Sequence, residues 1–276
     1  MKVLCLGDLS LDTYLKENKS FFGGCSLNVA RQLNEKLGHK ETALYIPLGN
    51  DQNSKEAQKY LETLTIEMRL KILEGELPRQ PITIDENGER HLHDYVGGVL
   101  TEFTCEDLGK FFLSRFELIL FPFFKQVELM TQSLLDLNPK AKLACDFGNL
   151  SDYDGDLEVA KKFFPSLSYA QFSSESSDKE KREFLRKSSE DYELILVETM
   201  GSRGARVFNK GIELFSEAPE IFQIVDSTGA GDAFFAHFLH SHIINEKTLQ
   251  KSLEIACHGG AQQVSHLGPG PISLLQ

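Results

Sequence analysis

The chain has 276 residues, 41% of them hydrophobic and 25% charged, with a formal net charge of −12. That composition belongs to a folded globular protein and excludes collagen-like, coiled-coil and wholly disordered chains. The length suits one large domain, or one with a small appendage. The acidic balance argues against nucleic-acid binding, which sets lysine and arginine against phosphates. It leaves room for a small anionic ligand held by backbone amides.

No run approaches the ~20 apolar residues that cross a bilayer. The opening, Met1-Lys-Val-Leu-Cys-Leu-Gly-Asp8, carries acid too early for a secretory leader, so residues 3–7 read as a first buried strand. The five cysteines, Cys5, Cys25, Cys105, Cys145 and Cys257, are scattered and form no CxxC pair. They are expected as free thiols in a cytoplasmic protein.

Residues 13–22 read as a further strand off the main sheet. Residues 26–37 place Leu27, Ala30, Leu33 and Leu37 on one helical face. A strand over 43–48 and a helix over 54–64 follow. Residues 81–85 and 89–95 alternate on either side of Glu86-Asn87-Gly88, a hairpin pattern in which Asn-Gly supplies the positive φ angles of a tight turn. Strands are then predicted over 117–121, 142–146 and 193–198, and helices over 125–137, 157–164 and 178–189. Phe121, Phe123 and Phe124 read as core, not as a base-stacking platform. The strands are near-continuous apolar runs, as befits strands buried on both faces. The alternation predicts an α/β fold, a central mostly parallel sheet with helices on both sides. Its 276 residues are expected to form a single domain, with a small lid made by about 13–22 and 81–97.

The chemistry concentrates in Asp226-Ser-Thr-Gly-Ala-Gly-Asp232. An apolar strand is predicted before it, over 221–225, and an apolar helix after it, over 233–244. A glycine-rich turn thus feeds a helix N-terminus, whose first amides lack internal partners and carry partial positive charge. Amides around 229–232 are positioned to converge on an anion. A carboxylate there repels a phosphate unless it has a task, and general base toward an attacking hydroxyl is one. The plain alternative is a glycine turn with an aspartate capping the helix.

This heptad resembles the C-terminal signature of the ribokinase-like (PfkB-type) carbohydrate kinases. Gly23-Gly24-Cys25-Ser26-Leu27-Asn28-Val29-Ala30 is similar to that family's N-terminal GG-x-x-x-N-x-A motif. Gly7-Asp8…Asp12, the loop from Glu198 to Ala205 and Ala256-Cys-His-Gly-Gly-Ala261 fall in family order, so the resemblance spans nearly the whole chain. Residues 86–103, with Arg90, Asp94-Tyr95, Gly98-Val99 and Phe103, look most like the fructoselysine 6-kinases within it.

The resemblance implies a three-layer α/β/α fold with a small β lid, and transfer of the γ-phosphate of ATP, with Mg²⁺, to a sugar hydroxyl. The specific version is the 6-hydroxyl of a fructoselysine-like sugar-amine. A ketohexose or nucleoside kinase is the alternative, or a non-catalytic sugar-binding regulator. Carried onto this chain, the resemblance makes Asp232 the catalytic base and Gly229, Ala230 and Gly231 the anion hole. Asp12, Gly23, Gly24 and Asn28 hold the sugar. Arg90 either holds an anionic substrate group or is solvated, and His91 and His93 read as surface residues. Thr199, Gly201, Gly204, Thr228 and His258 lie toward the ATP, with Arg203 reaching a phosphate or solvent. A homodimer through the lid is implied.

The chain departs from the family pattern in three places. The spacing from Asn28 to Gly38 is one residue longer than usual. Ser173-Ser-Glu-Ser-Ser-Asp178 replaces the Asn-x-x-Glu that organises magnesium through water, so the metal residues are unassigned, with Glu175 or Asp178 as substitutes. His237 stands where a small residue is usual.

Overall fold

The computed structural model describes residues 1–174 and 178–270. In chain order the elements are β1 (Val3–Leu6), β2 (Ser10–Tyr14), β3 (Lys19–Gly23), α1 (Cys25–Arg31), β4 (Thr42–Leu48), α2 (Gln52–Leu61), β5 (Glu67–Ile72), β6 (Arg79–Ile84) and β7 (Arg90–Leu92). Then come α3 (Gly109–Leu113), β8 (Leu118–Pro122), α4 (Glu128–Asp136), β9 (Lys142–Asp146), α5 (Leu157–Lys161), β10 (Tyr169–Ser173) and α6 (Lys179–Asp191). The last are β11 (Ile195–Thr199), β12 (Ala205–Asn209), β13 (Ile212–Ser216), α7 (Ala230–Leu239) and α8 (Leu249–Gln263).

Among the described residues, nine strands form one sheet in the order β13-β12-β11-β10-β9-β8-β1-β4-β5. It is parallel except at the β12 and β13 edge. Strand pleating sends alternate side chains to opposite faces. In β1, Val3 and Cys5 join the core beneath α1, α2, α7 and α8, while Leu4 and Leu6 join the core beneath α3–α6. Two apolar layers on one sheet make the α/β/α sandwich that the strand–helix alternation predicts. Phe123 is buried among Phe147, Tyr153 and Phe163, as core. No described helix is long and apolar enough to cross a membrane.

Four further strands form a separate small sheet, β3-β2-β6-β7. Residues 13–22 thus contribute two antiparallel strands, not one, because the chain reverses after Tyr14 and pairs with itself as far as Gly23. The β6–β7 hairpin forms as predicted, but its turn differs. Only Gly88 takes a positive φ, +79°, while Asn87 does not. The turn closes through Gly88 N–H to the Asp85 carbonyl (3.1 Å) and Asp85 N–H to the Glu89 carbonyl (3.0 Å). Asp85 Oδ1 accepts from Asn87 and Glu89 N–H. This is a type I turn with one glycine in a bulge, and it needs one left-handed residue, not two.

Residues 221–225 do not form the predicted strand. Among the described residues no strand pairs with them. They are held by a bond from Val225 N–H to the Val264 carbonyl (2.8 Å), and just beyond by one from Ser227 N–H to the Gly88 carbonyl (3.1 Å). Phe222, apolar as it is, is fully exposed. The helix that follows begins at Ala230, three residues earlier than predicted.

The long spacing after Asn28 has a structural form. Residues 32–36 make a π turn at the end of α1, in which Leu37 N–H reaches back to the Gln32 carbonyl at 3.0 Å. A π turn holds one residue more than an α turn, so the helix takes in the insertion without moving either end.

His237 also finds a local accommodation. It is buried on α7, and Gly259 of α8 passes so close that a β-carbon there would lie 2.5–2.8 Å from its ring. Burial pushes its imidazole pKa down to about 4. Gly259→Ala is therefore expected to destabilise the fold by about 1–3 kcal/mol. His237→Ala in the same chain should restore much of that loss, which a double-mutant cycle of denaturant midpoints measures.

Candidate active site

The carboxyl ends of parallel strands form a crevice in which polar side chains from several strands can meet. β1 ends at Gly7-Asp8. Asp8 is buried and its two oxygens accept from Cys25 and Ser26 N–H, both at 2.9 Å, at the head of α1. That fixes the start of a helix whose fourth residue is Asn28. Asn28 Nδ2 donates to Asp232 Oδ2 at 2.8 Å. Its own Oδ1 is buried and has no hydrogen-bond partner among the described residues.

Asp232 lies in the first turn of α7. Gly229, at φ +78°, precedes this helix, and a side chain there would also press on the Pro269 carbonyl. Ala230 N–H bonds the Ser227 carbonyl at 3.3 Å, and Ala233 N–H closes the first helical turn onto Gly229. Between them stand the amides of Gly231 and Asp232, which helix geometry leaves without intrahelical acceptors. A β-carbon on Gly231 would meet nothing nearer than Gln171 Nε2 at 3.7 Å. The fold itself leaves space at that position.

The loop is held from behind by Asp226, which is fully buried. It accepts from Tyr14 Oη (2.6 Å), Gly268 N–H (2.8 Å) and Thr228 N–H (2.9 Å). It therefore ties the motif to the small sheet and to the segment after α8. The β6–β7 turn meets the same loop, because Arg90 N–H donates to Ser227 Oγ at 3.1 Å.

Three buried carboxyls face the crevice with raised proton affinity. Burial pushes Asp232 to about 7, with the negative charge of Asp146 adding to it and Asn28 and Arg90 opposing. Burial likewise raises Asp12 to about 7, against its bond from Ser10 Oγ and the charge of Arg90. Asp146 is raised to about 6 by burial, against bonds from Gly148 N–H and Gln171. Arg90, exposed on β7, is the cation felt by all three.

Of the expected residues, the structure brings together Asp12, Asn28, Arg90 and the Gly229–Asp232 turn. Gly23 ends β3 against the Asp12 carboxylate, and Gly24 starts α1. Thr228 is buried behind the turn. Thr199, Gly201 and Gly204 sit on the β11–β12 connection, and His258 is exposed on α8. No hydrogen bond joins these four to the carboxyls among the described residues. Arg203 is exposed, with Nη2 donating to the Ser174 carbonyl and Nε to that of Met200. Thr199 Oγ1 is bonded to the Phe172 carbonyl.

Glu175 lies outside the described residues. Asp178 is occupied in capping α6, accepting from Glu180 and Lys181 N–H. Glu198, buried nearby, already pairs with Arg206 Nη1 (2.9 Å) and Ser174 Oγ (2.7 Å). No group of three or more metal-ligating side chains is assembled among the described residues. They offer a divalent cation no ready-made coordination sphere.

Two crevice residues, Asp146 and Gln171, are absent from the sequence reading. Each stands at or near the carboxyl end of a parallel strand, and that placement is the signal that marks them.

Residues 156–274 match the family described as pfkB family carbohydrate kinase. Fructosamine kinase FrlD of Bacillus subtilis (strain 168) is 27% identical over 89% of this chain and 85% of its own. Fructoselysine 6-kinase of Escherichia coli (strain K12) is 24% identical over 87% and 88%. The crystal structure of a probable sugar kinase protein from Rhizobium etli CFN 42 superposes with a TM-score of 0.81 at 18% identity, covering 99% of this chain and 95% of its own. Residues 156–274 therefore carry a pfkB family carbohydrate kinase domain, the fold is ribokinase-like, and the chain is a phosphotransferase acting on sugar hydroxyls.

Proposed function

We propose that this ATP-dependent sugar kinase phosphorylates a fructosamine such as fructoselysine at its 6-hydroxyl, with Asp232 as general base. One observation carries the base assignment. A buried carboxylate with proton affinity near neutrality stands at a helix N-terminus beside open space, oriented by Asn28. A base works best when its pKa lies near the working pH. The substrate hydroxyl gives its proton to Asp232 as its oxygen bonds the γ-phosphorus, and the bond to the ADP oxygen breaks. Amides of the Gly229–Asp232 turn stabilise the charge on the transferred group.

Asp12, Gly23, Gly24, Asn28 and Arg90 hold the sugar in this reading. The small sheet acts as a lid that excludes water. Thr199, Gly201, Gly204, Thr228 and His258 line the nucleotide side. Mg²⁺ bound through the nucleotide phosphates would supply charge neutralisation there, since the described residues assemble no cluster of three or more ligating side chains for it. The chain works in the cytoplasm, as a homodimer through the lid.

The fructosamine preference is supported by the names of the two kinase relatives and by the acidic turn at Asp85, Glu86 and Glu89, which suits a cationic amino-acid tail. A nucleoside would need a free stacking face. Phe21 packs edge-on to Tyr14, Phe22 lies against Tyr60, and Tyr95 packs edge-on to Phe124. A coupled ADP-release assay across fructoselysine, fructose, ribose and adenosine tests this. Fructoselysine is expected to give the highest kcat/KM. Turnover of ribose or adenosine with fructoselysine inert overturns it.

A further inference from the structure

We propose that Asp146 is a positioning residue of this kinase: with Gln171 it holds the Gly231–Asp232 turn in place and sets a second negative charge beside the reacting carboxylate. The inference rests on Asp232 being the base.

Asp146 closes β9, deep in the crevice. One oxygen accepts from Gly148 N–H at 2.9 Å, the other from Gln171 Nε2 at 2.8 Å. The same Gln171 nitrogen donates to the Gly231 carbonyl at 3.2 Å. An amide nitrogen has two hydrogens, so Gln171 serves both acceptors. Gln171 sits on β10, which pairs with β9 at Gln171↔Asp146. The sheet register therefore aligns donor and carboxylate, and their bridge reaches across to the head of α7. Asp146 and Asp232 line one small cavity with Cys25, Ser26, Val29 and Phe235.

Burying a charge is costly, and hydrogen bonds of this kind do not by themselves require one. What the charge adds is repulsion toward Asp232, which strengthens that carboxylate's hold on a proton. The other groups acting on Asp232 are Asn28 and Arg90, which favour its ionised form, and Asp8, which opposes it. Asp12 and Cys25 are coupled to it as well. Arg90 and Asp12 are on the small sheet, whereas Asn28, Cys25, Asp8 and Asp146 are on the main body, so Asp146, like Asp8, is a charge fixed beside the base.

Asp146→Asn is expected to move the acidic limb of the kcat–pH profile down by roughly one unit, the scale of a removed like charge. Gln171→Met keeps the charge and cuts the bridge. It should lower kcat by roughly tenfold while leaving the acidic limb in place and KM for ATP within about twofold. Wild-type kcat in both variants, or an unmoved limb in a folded Asp146→Asn enzyme, overturns the inference. If Asp146→Asn does not fold, the Gln171→Met result decides alone. Asp232→Asn run in parallel separates the failures. If that variant is inactive while the limb stays put, only Asp146's role is lost. If it turns over normally, the base assignment is lost too.

Discussion

Asp232→Asn should lower kcat by roughly 10²–10⁴-fold, the range a positioned general base contributes. The replacement is close to isosteric, and an amide oxygen can still accept the bond that Asn28 Nδ2 now makes at 2.8 Å. The proton acceptor is what disappears. Stability is expected to move the other way. A carboxylate whose proton affinity is raised by burial opposes folding at neutral pH, and removing its charge relieves that cost. The sign follows from linkage. With a folded pKa near 7, the wild-type group stabilises the fold only while protonated. Its contribution is present below the ordinary carboxyl range and is lost as pH rises through about 7. The variant should therefore be inactive yet melt at or above the wild-type temperature at pH 8. A cap or core residue would lose activity and stability together. An Asp232→Asn protein that is active, or inactive only because it is unfolded, contradicts the assignment.

Asp226→Ala is expected to produce the largest loss of stability. Three donors, Tyr14 Oη, Gly268 N–H and Thr228 N–H, converge on this one fully buried carboxylate. Removing one partner of a buried charged network costs about 3–5 kcal/mol. At about 2–4 °C per kcal/mol for a chain of this class, the unfolding midpoint falls by roughly 10 °C. Tyr14→Phe deletes one donor and leaves the other two, so it should cost only about 1 kcal/mol. Calorimetry of both variants makes the comparison. If Asp226→Ala is no more destabilising than Tyr14→Phe, the residue is not the junction that ties the motif loop to the small sheet and the 265–270 segment.

The residues with a local signature were legible in the sequence. The Asp226–Asp232 heptad and the Gly23–Ala30 motif each fold where the reading put them, because each couples a turn to the helix it starts. The extra residue after Asn28 was also legible as a count, and its physical form is the π turn at 32–36. What was not legible depends on neighbours far along the chain. Asp146 and Gln171 carry no motif, and only the β9–β10 register sets them side by side. Residues 221–225 are apolar enough to be a strand, but among the described residues no strand pairs with them. The β12–β13 hairpin, by contrast, was announced by Lys210-Gly211, both at positive φ, and the reading passed over it.

Phosphorus NMR of the reaction mixture tests the central claim most directly. With ATP and fructoselysine the wild-type enzyme should convert the γ-phosphate signal into that of a phosphomonoester on the sugar, one for each ADP formed. Asp232→Asn should leave ATP intact. Release of inorganic phosphate with no sugar phosphate, or equal ester formation by the variant, contradicts the account of a sheltered hydroxyl deprotonated by Asp232.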